Sequence, residues 1–140
     1  MKLLNVFVLA SLMSFTAMGC SSTGESGLSK SSTLASLNTN DAKILCTWML
    51  EETGGAGKET TCTTSGTGTT GKKNHTQEEC EKSFDDFRTL HDLGCEATVE
   101  EAETCTAETK KDACGSQPTC DALEKRFEEC EAKSKADAGH

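Results

Sequence analysis

CEATVEEAETCTAETKKDACGSQPTCDALEKRFEEC, residues 95–130, sets five cysteines among two helix-start signals. Thr98 and Glu101 form a capping box, in which each side chain accepts a free backbone N–H of the other residue. The helix it opens carries Val99, Ala102 and Cys105, and Gly115 closes it. Pro118 suits a first helical position, since its missing N–H has no partner there anyway. Beyond it Cys120, Leu123, Phe127 and Cys130 form an apolar stripe at helical spacing. Asp121 with Lys125 and Glu129 with Lys133 are outward i,i+4 pairs. The short connection predicts an antiparallel helical hairpin folded about Gly115 to Pro118. That fold brings Cys105 level with Cys130 and Cys114 level with Cys120, so Cys105–Cys130 and Cys114–Cys120 are the expected disulfides. Nine helical steps of about 100° separate Cys105 from Cys114 onto opposite faces, so the helix must end before Cys114 for both bonds to form.

Upstream, Thr76 and Glu79 form another capping box, followed by Cys80, Phe84, Phe87 and Leu90 or His91 on one face, with Gly94 as the stop. A helix over 76–93 puts Cys80 and Cys95 ~22 Å apart at ~1.5 Å per residue, beyond the ~7 Å between α-carbons that a disulfide allows. Two pairings then remain for the other four cysteines: Cys46–Cys95 with Cys62–Cys80, or Cys46–Cys80 with Cys62–Cys95. The first is favoured because it closes the smaller loop around Cys62.

Residues 40–52 pair Ile44 with Trp48 and Leu45 with Met49 at four-residue spacing, predicting a helix capped by Asn40 or Asp41 and ended by Gly54-Gly55. Trp48 is its expected core anchor. Residues 53–74, rich in Thr, Ser and Gly, read as a long loop or short hairpin pinned by Cys62. Gly66 to Gly71 fits G-x-G-x-x-G literally, but no apolar strand precedes it, so it carries no dinucleotide reading. The fold class expected is mainly α: a small disulfide-stapled bundle of about four short helices with a Gly/Thr-rich loop or short hairpin.

Apolar residues other than glycine are 34% of 140, with 4% aromatic and no tyrosine. The core is therefore thin, and the cysteines must supplement it. Nine are present; with Cys20 set aside, the remaining eight suit four disulfides in an oxidising compartment.

Cys20 ends a leader. Lys2, an apolar run from Leu3 to Phe15 and the small-residue exit Ala17-Met18-Gly19 precede it. This ending resembles the lipobox of bacterial lipoprotein signal peptides, with Ala17 where leucine is usual. The resemblance implies cleavage before Cys20, acylation of that cysteine, and, with Ser21 following, sorting to the outer membrane. The expected organisation is a signal peptide at 1–19, lipidated Cys20 with a flexible tether at 20–39, a cysteine-rich helical domain at 40–133 and a disordered tail at 134–140. The precursor carries −9, a charge that repels phosphate backbones and makes nucleic acid a poor partner. Membrane attachment is expected through the anchor on Cys20.

Cys46-Thr47-Trp48, the Gly54 to Gly57 turn, Cys95 to Glu101 and the close cysteines from 105 to 130 resemble uncharacterised cysteine-rich bacterial lipoproteins. That resemblance implies location and scaffold, with no activity attached. The cysteine gaps contain no C-x-x-C, so neither zinc, haem nor another cofactor is expected. His91 is read as a packing residue, and the carboxylate pairs Glu100-Glu101 and Glu128-Glu129 as solvated, so no enzyme is expected. The function expected is a membrane-anchored interaction or structural module of the cell envelope with a protein partner. The alternative is a secreted ligand binder or inhibitor that uses the 53–74 loop.

Overall fold

The computed structural model describes residues 24–64, 68–91 and 94–137. Its helices are α1 (Thr39–Glu52), α2 (Gln77–His91), α3 (Val99–Lys111) and α4 (Pro118–Asp137), and a two-stranded antiparallel hairpin, β1 (Glu59–Thr64) with β2 (Gly68–Lys73), lies between α1 and α2. The protein is mainly helical, as the spacing predicts. Both capping boxes form: Glu79 N–H donates to Thr76 Oγ1 and Thr76 N–H to Glu79, and Thr98 and Glu101 exchange the same pair of bonds. The cap of α1 is Asn38 rather than Asn40 or Asp41, with Asp41 N–H donating to its side chain. Gly54 and Gly55, both at positive φ, close α1 by donating to Glu51 and Leu50 carbonyls, a conformation that glycine adopts without strain. The 53–74 segment is thus a turn followed by a hairpin. The register sets Cys62 opposite Thr70.

Leu45 and Val99 are fully buried, joined by Leu34, Leu37, Ala42, Phe84, Ala97, Ala102 and the Cys46–Cys80 pair in one core. Leu34 and Leu37 belong to the segment expected to be a free tether. Residues 24–38 instead form a strap that crosses the start of α3 and then packs through Leu34 to Leu37 against α2. Leu34 N–H donates to Ala97 O, while Ser32 O and Lys30 O accept from Val99 and Glu100 N–H. Those two donors belong to the first turn of α3, where helical backbone has no internal acceptor, so the strap completes what the capping box begins. The cysteine-rich unit therefore starts by residue 24 rather than at 40. It also extends past 133, because α4 continues through Asp137 into the expected disordered tail.

The disulfides are Cys46–Cys80, Cys62–Cys114, Cys95–Cys130 and Cys105–Cys120, with α-carbons 4.8–6.1 Å apart. None of the four favoured pairs, Cys105–Cys130, Cys114–Cys120, Cys46–Cys95 and Cys62–Cys80, is formed. Cys46–Cys80 belonged to the second alternative, but its companion there, Cys62–Cys95, is not formed either. Cys80 and Cys95 remain unlinked to each other, as the length of α2 requires.

The α3–α4 hairpin exists, but its fold lies about three residues earlier than Gly115 to Pro118. Asp112 ends α3: its carbonyl accepts from Gly115 N–H and from the buried Gln117 side chain, and its carboxylate from Cys114 N–H. Cross-helix pairs such as Glu101 with Arg126 and Glu108 with Thr119 are consequently centred between residues 113 and 114. Cys105–Cys120 and Cys95–Cys130 share a midpoint between residues 112 and 113, five residues earlier than that of the expected Cys105–Cys130, which moves the partner of Cys105 by ten, from Cys130 to Cys120. Cys130 reaches back to Cys95, and Cys114 in the turn is left for Cys62.

Arg126 holds the Glu101 carboxyl below its ordinary range, chiefly through their hydrogen bond, with Thr98 N–H contributing against the effect of burial. A depressed folded-state value means that the pair stabilises the fold at neutral pH and loses that effect as pH falls through the carboxylate range. Its side chains are 39% and 31% exposed, so the contribution is at most ~1 kcal/mol. Glu101→Gln should therefore cost up to ~1 kcal/mol at pH 7 and less at pH 3, read from non-reducing thermal melts at the two pH values.

Non-reducing peptide mapping should recover the four observed links, and a Cys105–Cys130 peptide would refute the hairpin register. Replacing Cys62 and Cys114 together by Ser should leave helical circular dichroism intact while amide exchange rises across residues 59–73, because that bond ties only the hairpin to the helical body.

Candidate functional site

The two apolar pairs of α1 separate. At about 100° per residue, Ala42, Leu45, Cys46, Met49 and Leu50 share the side that faces the core, while Ile44 lies opposite them and Trp48 at the edge. Ile44 is accordingly 40% exposed, and Trp48 is half-buried, packed against the core by part of its ring rather than anchoring it. Trp48 separates two shallow depressions. The first, about 440 Å³, runs along the outer side of α1 between Lys43, Ile44, Thr47 and Glu51. The second, about 410 Å³, lies between α1 and α3 and is lined by Glu25, Glu52, Thr106, Ala107, Lys110 and Lys111. Across it Lys110 donates to Glu52, which raises the Lys110 pKa and keeps it charged.

A third cleft, about 310 Å³, opens on the other side of α1, between Met49, Leu50 and Thr53, the hairpin base at Lys72 and Lys73, and Gln117. The hairpin is held there by Asn74, whose side-chain N–H groups donate to Thr53 O, Thr53 Oγ1 and Gly55 O. Asn74 thus serves as a clamp on the end of α1. In the G-x-G-x-x-G match, Gly68 to Gly71 lie in β2, a hairpin strand rather than the turn leading into a helix that phosphate binding uses, while Gly66 and Thr67 lie outside the described residues.

Cys20, the lipidation candidate, lies outside the described residues. The other eight cysteines are all bonded, so none can serve as a thiolate. Glu101 caps α3 and binds Arg126, Glu100 lies 4.0 Å from Lys30, and Glu128, Glu129 and His91 are exposed. Among the described residues, no three His, Cys, Asp or Glu side chains converge as a metal site.

Sequence reasoning missed Glu103. It is 6% exposed and accepts from both the N–H and the hydroxyl of Ser26. A carboxylate out of water needs such donors, and here they come from the strap, 77 residues away along the chain. Its place on the buried face of α3 beside Ala102 and Thr106 was visible in the spacing, but the donor was not.

Arranged this way, the surface offers an aromatic ring with a polar edge, flanked by an exposed isoleucine and charges of both signs. That chemistry suits contact with an apolar or interfacial partner. Among the described residues, no helix is long and apolar enough to cross a membrane. Compared with known protein families, curated proteins and solved structures, the chain matches none.

Asn74→Ala should destabilise the oxidised protein by ~1–3 kcal/mol, since two carbonyls lose a shared, partly buried donor. Denaturant midpoints in parallel with the wild type measure it, and an unchanged midpoint would show that the clamp contributes nothing.

Proposed function

We propose that this chain is a membrane-anchored, disulfide-stapled interaction or structural module of the bacterial cell envelope, without an enzymatic role of its own. The observation that carries it is the cysteine pairing. The eight cysteines after position 20 bond entirely among themselves, leaving Cys20 as the ninth, at the end of an apolar run and directly after Ala17-Met18-Gly19. Four disulfides in so small a chain fit an exported protein, and the odd cysteine stands where acylation would occur. Ser21 favours the outer membrane. Glu101 and Glu103 are committed to structural contacts, which supports a binding role over acid–base chemistry. The partner is taken to be a protein of the envelope.

A second reading, a secreted binder, is favoured by the hairpin alone: its exposed threonines and lysines sit on a base fixed by Cys62–Cys114, a common form of binding loop.

Cys20→Ser separates the two. The wild type should fractionate with membranes and yield an acylated amino-terminal peptide by mass spectrometry, and the variant should lose both properties. A wild-type protein recovered from culture fluid with an unmodified Cys20 would instead establish the secreted reading.

A further inference from the structure

We propose that the Trp48 face of α1 rests on the bilayer that holds the acyl chains of Cys20, an inference that depends on the lipid-anchor reading above. Its first support is distance. Glu25 lines the same depression as Trp48, and Gly24 is four residues after Cys20. Four residues span at most ~14 Å however they run. The strap, fastened by Ser26 to the buried Glu103, cannot lengthen that reach without breaking its bonds to α3. An acylated Cys20 therefore brings the Trp48 face close to the headgroups.

Chemistry is the second support. Tryptophan concentrates at membrane interfaces because its ring is apolar and its N–H polar. Trp48 presents part of its ring beside Ile44, the exposed large apolar residue of the described structure. Charge is the third. The chain as a whole carries −9, which opposes contact with anionic lipid. Around the two depressions Lys43, Lys110 and Lys111 offset Glu25, Glu51 and Glu52, so this face is locally neutral and meets headgroups without the repulsion that the net charge of the chain would bring. A contact of this size is weak alone. Tethered by so short a segment, it becomes intramolecular, and its effective concentration lets a weak contact be occupied.

The chain contains one tryptophan, so its fluorescence reports this face directly. The acylated, oxidised protein is reconstituted into phosphatidylethanolamine and phosphatidylglycerol vesicles, with or without brominated acyl chains. Brominated lipid should reduce Trp48 emission about twofold, with matching protection from aqueous acrylamide, as expected of an indole at the interface. In a Trp48→Phe, Lys125→Trp protein, emission from the exposed side of α4 should be unaffected by bromine. Protein that floats with the vesicles while Trp48 stays unquenched and open to acrylamide overturns the docking and leaves the anchor standing, pointing to a protein partner for that face. Protein that carries no acyl chain and does not float overturns the anchor and the docking with it.

Discussion

Half-cystines do the work here that large side chains do in bigger domains. Two of the ten residues of the principal core are Cys46 and Cys80, and the smaller core is the Cys95–Cys130 pair covered by Phe127. With few aromatics the core is small, and cross-links add to it by restricting the unfolded chain. The remaining architecture follows from where those bonds fall. Cys46–Cys80 clamps α1 on α2, Cys105–Cys120 fixes the α3–α4 hairpin near its turn, and Cys95–Cys130 secures the far part of α4 to the segment that enters α3.

α3 is the hub that these bonds surround. Its first turn is satisfied twice over, by its own capping box and by carbonyls of the strap, and its last turn is ended by Asp112. Glu108, further along α3, accepts from Thr119 N–H at the start of α4, placing a carboxylate where a helix terminus favours negative charge. The strap therefore belongs to the folded unit as fully as the helices do. It also carries the chain from residue 24 past the first turn of α3 and then, through Leu34 to Leu37, against α2 to the start of α1, and its first part keeps Glu25 beside Trp48.

What was legible in the sequence was local. Capping boxes and the proline start depend on neighbouring residues and mark the starts of α2, α3 and α4 to within a residue, whereas the glycine stops are looser: Gly54 stands two residues past α1, and Gly115 four residues past α3. Mainly helical architecture with four disulfides follows from those signals and an even cysteine count. Pairing was not legible, because it depends on the hinge, and Asp112 rather than Gly115 sets the hinge through bonds to Gln117 and Cys114 that no spacing announces. Leu28, Leu34 and Leu37 have no helical or strand period among their serines and threonines, so their burial was invisible until α3 was present to receive them. Ile44 and Trp48 carried a true helical spacing whose face was ambiguous: four-residue pairs occur on both sides of α1, and only the neighbours decide which is inside. Whether the Trp48 face has a partner lies further still from sequence, since exposure is a property of the assembled surface.

The order of the bonds along the chain has a consequence for biogenesis. Every bridge skips at least one intervening cysteine: Cys62 lies between Cys46 and Cys80, Cys114 lies between Cys105 and Cys120, and Cys62–Cys114 interlaces with all three of the others. A polypeptide threaded into an oxidising space from its amino end offers neighbouring thiols first, and an indiscriminate oxidant would join them as they emerge. All of those early links would be wrong. Reaching the native set requires thiol–disulfide exchange after most of the chain has arrived. Yield in a host is therefore governed by its capacity to shuffle disulfides, and an oxidising compartment alone is insufficient.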